Sequence, residues 1–400
     1  MVREGFIQTQ IGVIPEDWEV RFVKEFTACT AGGTPNTQVK EFWNGNIPWM
    51  NSGELNKKKV STTENFITDL GLKNSSTKLI PKNCVLIGLA GQGKTRGTIA
   101  INMIELCINQ SIGAFLPNKN YSYKFLYFNL ENRYEELRGL SSGDGGRGGL
   151  NLNILKHLQI SLPPLPEQKA IAEALNDADT WIESLEQLIA KKRLIKQGAM
   201  QDLLRPKEGW EVRRLGEVCD VVGGGTPSTF NSSYWNGNVE WFTPTEVGKT
   251  KYLFSSKRLI TELGLKNSSA SILPINTILL TSRAGIGDLG ILKVQACTNQ
   301  GFQSLVCKAN TNHEFMYYLM KTKKNELLSN ASGSTFLEIS PGKVKALLID
   351  IPSFSEQTRI ATILSDMDTE LENLENQLSK ARQIKQGMMQ DLLTGRIRLI

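Results

Sequence analysis

Histidine is nearly missing from this sequence, with His157 and His313 the only two in 400 residues. Imidazole is the commonest metal ligand and the side chain that titrates near neutrality. A histidine-built metal centre therefore has little to draw on. The six cysteines, Cys29, Cys84, Cys107, Cys219, Cys297 and Cys307, form no C-x-x-C pair, whereas zinc sites usually use closely spaced ligand pairs. No metal and no cofactor are expected, and the thiols read as buried and reduced. No stretch approaches the roughly 18 uninterrupted apolar residues of a membrane span. The start, MVREGFIQTQIG, is charged early and lacks the apolar core of a signal peptide. The expectation is a cytoplasmic protein without membrane association.

What is present suits packed domains. The chain is 40% hydrophobic and 22% charged, enough apolar content for real cores. Its length suggests two or three domains at about 150 residues each. A net charge of +6 and a pI near 8.9 permit a polyanionic partner without requiring one.

The sequence is written twice. LPEQKAIAEALNDADTWIESLEQLIAKKRLIKQGAMQDLL from Leu165 returns as FSEQTRIATILSDMDTELENLENQLSKARQIKQGMMQDLL from Phe354, a shift of 189. Upstream, Trp18-Glu-Val-Arg, Gly32-Gly-Thr-Pro and Trp43-Asn-Gly-Asn-x-x-Trp49 return as Trp210-Glu-Val-Arg, Gly224-Gly-Thr-Pro and Trp235-Asn-Gly-Asn-x-x-Trp241, a shift of 192. Leu70-Gly-Leu-Lys-Asn-Ser-Ser recurs at Leu263. A period near 190 is far beyond the 20–50 residues of solenoid arrays, so the unit of repetition is a domain plus a helix.

Each long copy predicts one helix. Prolines or serine mark its start, and Arg205-Pro206 or Thr394-Gly395 ends it. The seam runs Leu175, Ala178, Ile182, Leu185, Ile189, Lys192, Lys196, Ala199, Leu203, and in the second copy Leu364, Met367, Leu371, Leu374, Leu378, Ala381, Lys385, Met388, Leu392. This 3-4 spacing, in one register under the shift, is the coiled-coil pattern. The natural partner of each helix is the other. Chain order then requires the pair to be antiparallel, giving an internal pseudo-two-fold, and about 38 residues at about 1.5 Å each make a spacer of about 57 Å.

The globular parts read as short β-type runs between Gly, Asn and Pro turns, such as CVLIGLAG and TILLTSRAG, followed by GTIAIN and GILKV. A helical piece follows in each, Lys124 to Leu137 and His313 to Asn325. The fold class is α+β: two similar mixed α/β domains, residues 1–162 and 206–352, joined by helices 163–205 and 353–394, with a tail at 395–400.

These residues carry a resemblance. Two domains opening on W-E-V-R, with Gly-Gly-Thr-Pro then Trp-Asn-Gly, each closing into Glu-Gln and a helix ending I-K-Q-G-x-M-Q-D-L-L, resemble the specificity (S) subunit of type I restriction–modification systems over essentially the whole chain. The second copy has Ser355 where the first has Pro166, and serine also starts helices well. The resemblance implies two target recognition domains, each reading one half of a bipartite site in double-stranded DNA. It implies spacer helices that fix the gap and dock two methyltransferase (M) subunits. It implies no catalysis in this chain, methylation and cleavage belonging to those partners and to motor–nuclease (R) subunits. Half-sites about one turn apart lie about 34–36 Å apart, which such a spacer accommodates, and a pseudo-two-fold suits two copies of one partner. A related cleave-on-both-sides restriction system uses subunits of the same layout.

One motif argues for a different chemistry. Gly88-Leu-Ala-Gly-Gln-Gly-Lys94-Thr95 matches the phosphate-loop pattern of nucleotide hydrolases. A helix must follow such a loop, yet Arg96-Gly-Thr-Ile-Ala-Ile-Asn suits a turn into a strand, and the repeated site, Ser282 to Asp288, has no Gly-Lys-Ser/Thr. Leu162-Pro-Pro-Leu165 lacks the amide and aromatic residues of an amino-methyltransferase loop. The runs Lys57–Lys59 and Lys191–Arg193 read as solvated faces. The shared tryptophans read as packing, and the paired glycines as turns needing positive φ.

If the half-sites differ, shared residues are scaffold and bases are read where the copies diverge. That points to Asn51 in the first copy and Thr243 and Thr245 in the second. Lys94 and Arg96 in the first copy, and Arg283 in the second, are expected to touch DNA phosphate, and Arg147 in a glycine-rich loop is the expected base or minor-groove contact. Leu175, Ile182, Leu185, Ile189, Leu364, Leu371, Leu374 and Leu378 are the expected spacer and partner positions.

Overall fold

Two short apolar strands separated by a glycine-rich turn organise each half of the chain. Val85–Gly88 and Ile99–Asn102 pair antiparallel, with Ile99 opposite Ile87 and Ile101 opposite Val85. All eight residues are buried. Side chains alternate between the faces of a strand, and here both faces have a core. Val85, Ile87, Ile99 and Ile101 enter one cluster, while Leu86 and Ala100 enter another. Two-sided burial explains why these strands read as continuous apolar runs. The computed structural model describes residues 3–91, 94–140, 149–283, 285–333 and 337–399. The chain divides into two compact units, Met1–Glu186 with Gln377–Ile400, and Gln187–Asn376.

In the first unit, a five-stranded sheet runs in the order Cys29–Ala31, Ile112–Phe115, Val85–Gly88, Ile99–Asn102, Lys59–Val60. Its neighbours are antiparallel except the last pair. A four-stranded sheet follows the order Asn65–Ile67, Trp43–Met50, Leu106–Ile108, Leu79–Ile80. The helix Tyr123–Asn132 covers the five-stranded sheet through Phe125 and Leu126.

The second unit repeats the plan. Its five strands are Cys219–Gly223, Gln303–Cys307, Ile278–Leu280, Leu289–Leu292 and Tyr252–Leu253. A three-stranded sheet is built from Arg258–Ile260, Trp235–Phe242 and Ala296–Thr298. Ile278 and Leu280 face one cluster and Leu279 the other, and the helix His313–Thr322 covers the sheet. The fold is α+β.

The long helices span Leu165–Leu203 and Phe354–Leu392, 39 residues each. In the first unit, Ile171, Ala172 and Leu175 join Met389, Leu392 and Leu393 in the main core. In the second, Leu203 and Leu204 meet Ile360, Ala361 and Leu364.

Two local expectations need correction. The helical pieces are each broken, into Tyr123–Asn132 and Tyr134–Gly139, and into His313–Thr322 and Lys324–Asn330. At the breaks, Arg133 N bonds Leu130 O and Lys323 N bonds Met320 O, both at 3.1 Å, three-residue closures that end an α-helix tightly. The paired glycines serve close approach and do not adopt positive φ. A Cβ on Gly33 would lie 2.2 Å from Ser76 Oγ, and one on Gly225 2.3 Å from Ser269 Oγ. The left-handed residues of this region are Asn44 at φ 61° and Asn236 at φ 60°, a conformation asparagine tolerates.

Candidate nucleic-acid interface

The scaffold common to both units is built from the shared motifs. Trp49 Nε1 donates to Gly33 O at 3.0 Å, and Trp241 Nε1 to Gly225 O at 2.9 Å. Trp43 and Trp49 meet edge-to-face at 5.1 Å, as do Trp235 and Trp241. This geometry adds to the area that aromatic pairs bury, and it ties the Gly-Gly turn to the adjacent sheet. Just beyond, Glu54 is buried and accepts from Asn51 N and Glu64 N. Glu246 accepts from Thr243 N and Lys257 N. These two carboxylates shape the turns that hold Asn51 and Thr243.

From this scaffold the diverging turns project. Asn51 caps a short helical turn by accepting from Gly53 N at 2.8 Å. Lys94 and Arg96 lie in the turn between Val85–Gly88 and Ile99–Asn102. That turn is an antiparallel hairpin: Gly88 N donates to Thr98 O at 3.0 Å and Gly97 N to Gly88 O at 2.9 Å. No helix follows it, so the phosphate-loop reading lacks its structural context. Lys94, Asn56, Lys58, Tyr134 and Arg138 surround a cavity of about 680 Å³, which brings the hairpin turn together with the segment after Asn51.

In the second unit the same two turns are adjacent. Ser282 N donates to Gly301 O at 2.8 Å, and a Cβ on Gly301 would meet Pro244 Cγ at 2.8 Å. Thr243 and Thr245 hydroxyls are 3.1 Å apart, and Arg283 pairs with Glu338 at 2.8 Å. Arg147 lies outside the described residues.

The helix seams carry charge at chosen points. Asp179 pairs with Lys385 at 2.7 Å and Glu186 with Arg382 at 2.5 Å in the first unit. The second unit has the same pairs with the helices exchanged, Lys196 with Asp368 and Arg193 with Glu375. In each unit the pairing runs antiparallel. Leu175, Leu185, Ile189 and Leu364 are buried, whereas Ile182, Leu371, Leu374 and Leu378 are half-buried. Lys385 also reaches Glu131 at 3.1 Å, which Lys58 approaches at 3.1 Å. Burial pushes the Glu131 carboxyl up, but the charges of Lys385 and Lys58 outweigh it and hold the group below its ordinary range.

The start of each long helix is tied to its own unit by glutamine. Gln168 Nε2 donates to Pro163 O at 2.9 Å, and its Oε1 accepts from Ser122 N at 2.9 Å. Gln357 does the same with Pro352 O at 2.9 Å and Asn312 N at 2.8 Å. Both side chains are buried. The glutamate before each departs from symmetry. Glu167 is buried, receives Trp18 Nε1 at 3.1 Å and is clamped by Arg398, which also grips Asp17. Glu356 pairs with Arg359 of its own helix at 2.7 Å.

Sequence reasoning missed the partners of its basic runs. Lys57, Lys58 and Lys59 bind Glu54, Glu131 and Glu183, and Lys192 and Arg193 bind Glu370 and Glu375. For the second run the available signal was Lys192, a lysine at a seam position that is otherwise apolar. Among the described residues no helix is long and apolar enough to cross a membrane, and no cluster of three or more His, Cys, Asp or Glu is placed to hold a metal.

Comparison with known proteins agrees with this duplicated plan. The type I restriction modification DNA specificity domain family matches twice, over residues 15–192 and 207–381. The type I restriction enzyme MjaIX specificity subunit of Methanocaldococcus jannaschii is 43% identical over 176 residues, which is 43% of this chain and 40% of that protein. The putative MjaX specificity subunit of the same organism is 25% identical across 99% of this chain and 97% of its own length. The crystal structure of a type I restriction–modification S subunit from M. genitalium shares the fold, with a TM-score of 0.61, 18% identity, and coverage of 94% of this chain and 96% of that one. With both halves matched and both built on one scaffold, the chain belongs to the type I restriction–modification DNA specificity family.

Proposed function

We propose that this chain is the sequence-reading subunit of a type I restriction–modification assembly. Residues 1–162 and 206–352 act as its target recognition domains, each on one half of a bipartite site in double-stranded DNA. Helices 163–205 and 353–394 set the gap and dock two methyltransferase subunits. Methylation and cleavage reside in those partners and in the motor–nuclease subunits, and the chain works in the cytoplasm. The observation that carries this reading is the pairing of one scaffold with two sets of diverging turns. Shared Gly-Gly and Trp contacts supply a frame, and the turns where the copies differ are where one half-site is told from the other. On this reading Lys94, Arg96 and Arg147 serve one half-site together with Asn51, and Thr243, Thr245 and Arg283 serve the other.

The test maps methylated adenines in host DNA with and without this chain, its methyltransferase partner present in both. A bipartite motif that disappears with the chain supports the reading, and replacing residues 206–352 should then alter one half of the motif only. An unchanged methylation map in the presence of an active partner refutes it.

A further inference from the structure

Two of the six thiols face each other. Cys219 begins the strand Cys219–Gly223, Cys307 ends the strand Gln303–Cys307, and the two are direct partners in the antiparallel ladder. Lys308 N donates to Val218 O at 3.0 Å, so the ladder bond falls on the flanking residues and leaves the cysteines at a non-hydrogen-bonded position. Such partners have Cα atoms about 4.5 Å apart, inside the roughly 4.4–6.8 Å that a disulfide spans. Their Sγ atoms are 3.5 Å apart, in van der Waals contact. Cys219 is buried and Cys307 half-buried, so Cys307 is the more accessible of the pair. The strand Cys219–Gly223 is also an edge strand of its sheet, where a small adjustment disturbs one neighbour only.

We propose that Cys219 and Cys307 form a redox-sensitive dithiol that closes to a disulfide when a small aliphatic disulfide is present, cross-linking the edge strand to its sheet. The Cys307 thiolate attacks one sulfur of the reagent, forming a mixed disulfide and expelling one small thiolate, which takes up the proton that Cys307 lost. Cys219 gives its proton to solvent and attacks the Cys307 sulfur, and the second small thiolate leaves and takes a proton back from solvent. Two protein thiols are oxidised to one cystine, and one small disulfide is reduced to two thiols. Contact with Cys307, together with burial, pushes the Cys219 thiol well above its ordinary range. Cys307, the more exposed of the two, reacts first, and Cys219 closes the bridge.

The cross-link has a route to the rest of the unit. Cys307 leads through Lys308 to Asn312, whose backbone N–H holds Gln357 at the start of the second long helix. At its other end, the strand Cys219–Gly223 runs into the Gly224–Gly225 turn beneath Trp241. Oxidation therefore ties the helix joint to the turn scaffold through one covalent bridge.

The experiment treats the full chain with hydroxyethyl disulfide, denatures it, alkylates the remaining thiols and maps the peptides by mass. The expected result is a fall from six free thiols to four, a linked Cys219–Cys307 peptide, and reversal by dithiothreitol. Cys219→Ser should stop at a mixed disulfide on Cys307. Six unreacted thiols, a mixed disulfide that persists on Cys307 of the unaltered chain, or a bridge between other cysteines would overturn the proposal. The peptide map of the unaltered chain decides the matter even if a serine variant folds poorly.

Discussion

Asp179 of the first long helix holds Lys385 of the second at 2.7 Å, and Asp368 holds Lys196 in the same way with the helices exchanged. Both lysines occupy seam positions where the pattern otherwise asks for an aliphatic residue. A polar group at such a position fixes which residues face one another, at some cost in stability. Lys385 is shielded from solvent and serves two carboxylates, Asp179 and Glu131.

Removing the shared cation should therefore cost more than removing one of its partners. Lys385→Met leaves both carboxylates without it, and a loss of about 3 kcal/mol is expected from urea unfolding. Asp179→Asn leaves Glu131 in place and should cost about 1 kcal/mol. Equal losses in the two variants would show that Lys385 acts through one partner alone.

Glu131 supplies a pH dependence. Its carboxyl is held below the ordinary range by Lys385 and Lys58 against the effect of burial. A depressed folded-state value contributes stability that is present above the unfolded value, about 4.3 for glutamate, and is lost as pH falls through the folded value. Between about pH 5 and 3, Glu131→Gln should flatten the decline of the urea midpoint. An unchanged slope would mean that other carboxylates set the acid limb.

The glycine pairs should tolerate no side chain. Gly33→Ala and Gly225→Ala place a carbon 2.2 Å and 2.3 Å from serine hydroxyls with backbone close behind, and a loss of about 2–3 kcal/mol is expected. Gly223→Ala meets nothing within 4 Å and should stay within about 0.5 kcal/mol of the native chain. Thermal unfolding of the three variants makes the comparison.

Lys94 projects from the hairpin turn and enters no ion pair among the described residues. On the proposed function, Lys94→Ala should weaken binding to all duplex sequences alike and reduce the logarithmic salt slope by about 0.9. A change in the preferred bases, with the salt slope intact, would instead make it a reader of base edges.

Much of this architecture was legible because it is written twice. The long helices announce themselves through one seam in one register, and the buried strands through runs such as Cys84-Val-Leu-Ile. What escaped was whatever depends on residues distant in sequence. Gly32 and Gly33 look like turn residues until Ile108 and Ser76 are seen packed against them. Lys57–Lys59 look solvated until Glu131 and Glu183 arrive from elements more than 70 positions away. The breaks at Arg133 and Lys323 had no proline or glycine to mark them. The turns proposed to read DNA were found by divergence between the copies, a signal that also includes drift and so names regions better than atoms.

Gln168 and Gln357 grip the units they belong to by main-chain groups: a proline carbonyl on one side and the amide N–H of residue 122 or 312 on the other. Almost any amino acid presents that N–H. The joint is therefore blind to the identity of the residue it holds, and a domain of quite different surface could be spliced in before the helix without redesigning its attachment. On the proposed function, recombination between relatives would exchange one target recognition domain at a time and change one half of the recognised site in a single step.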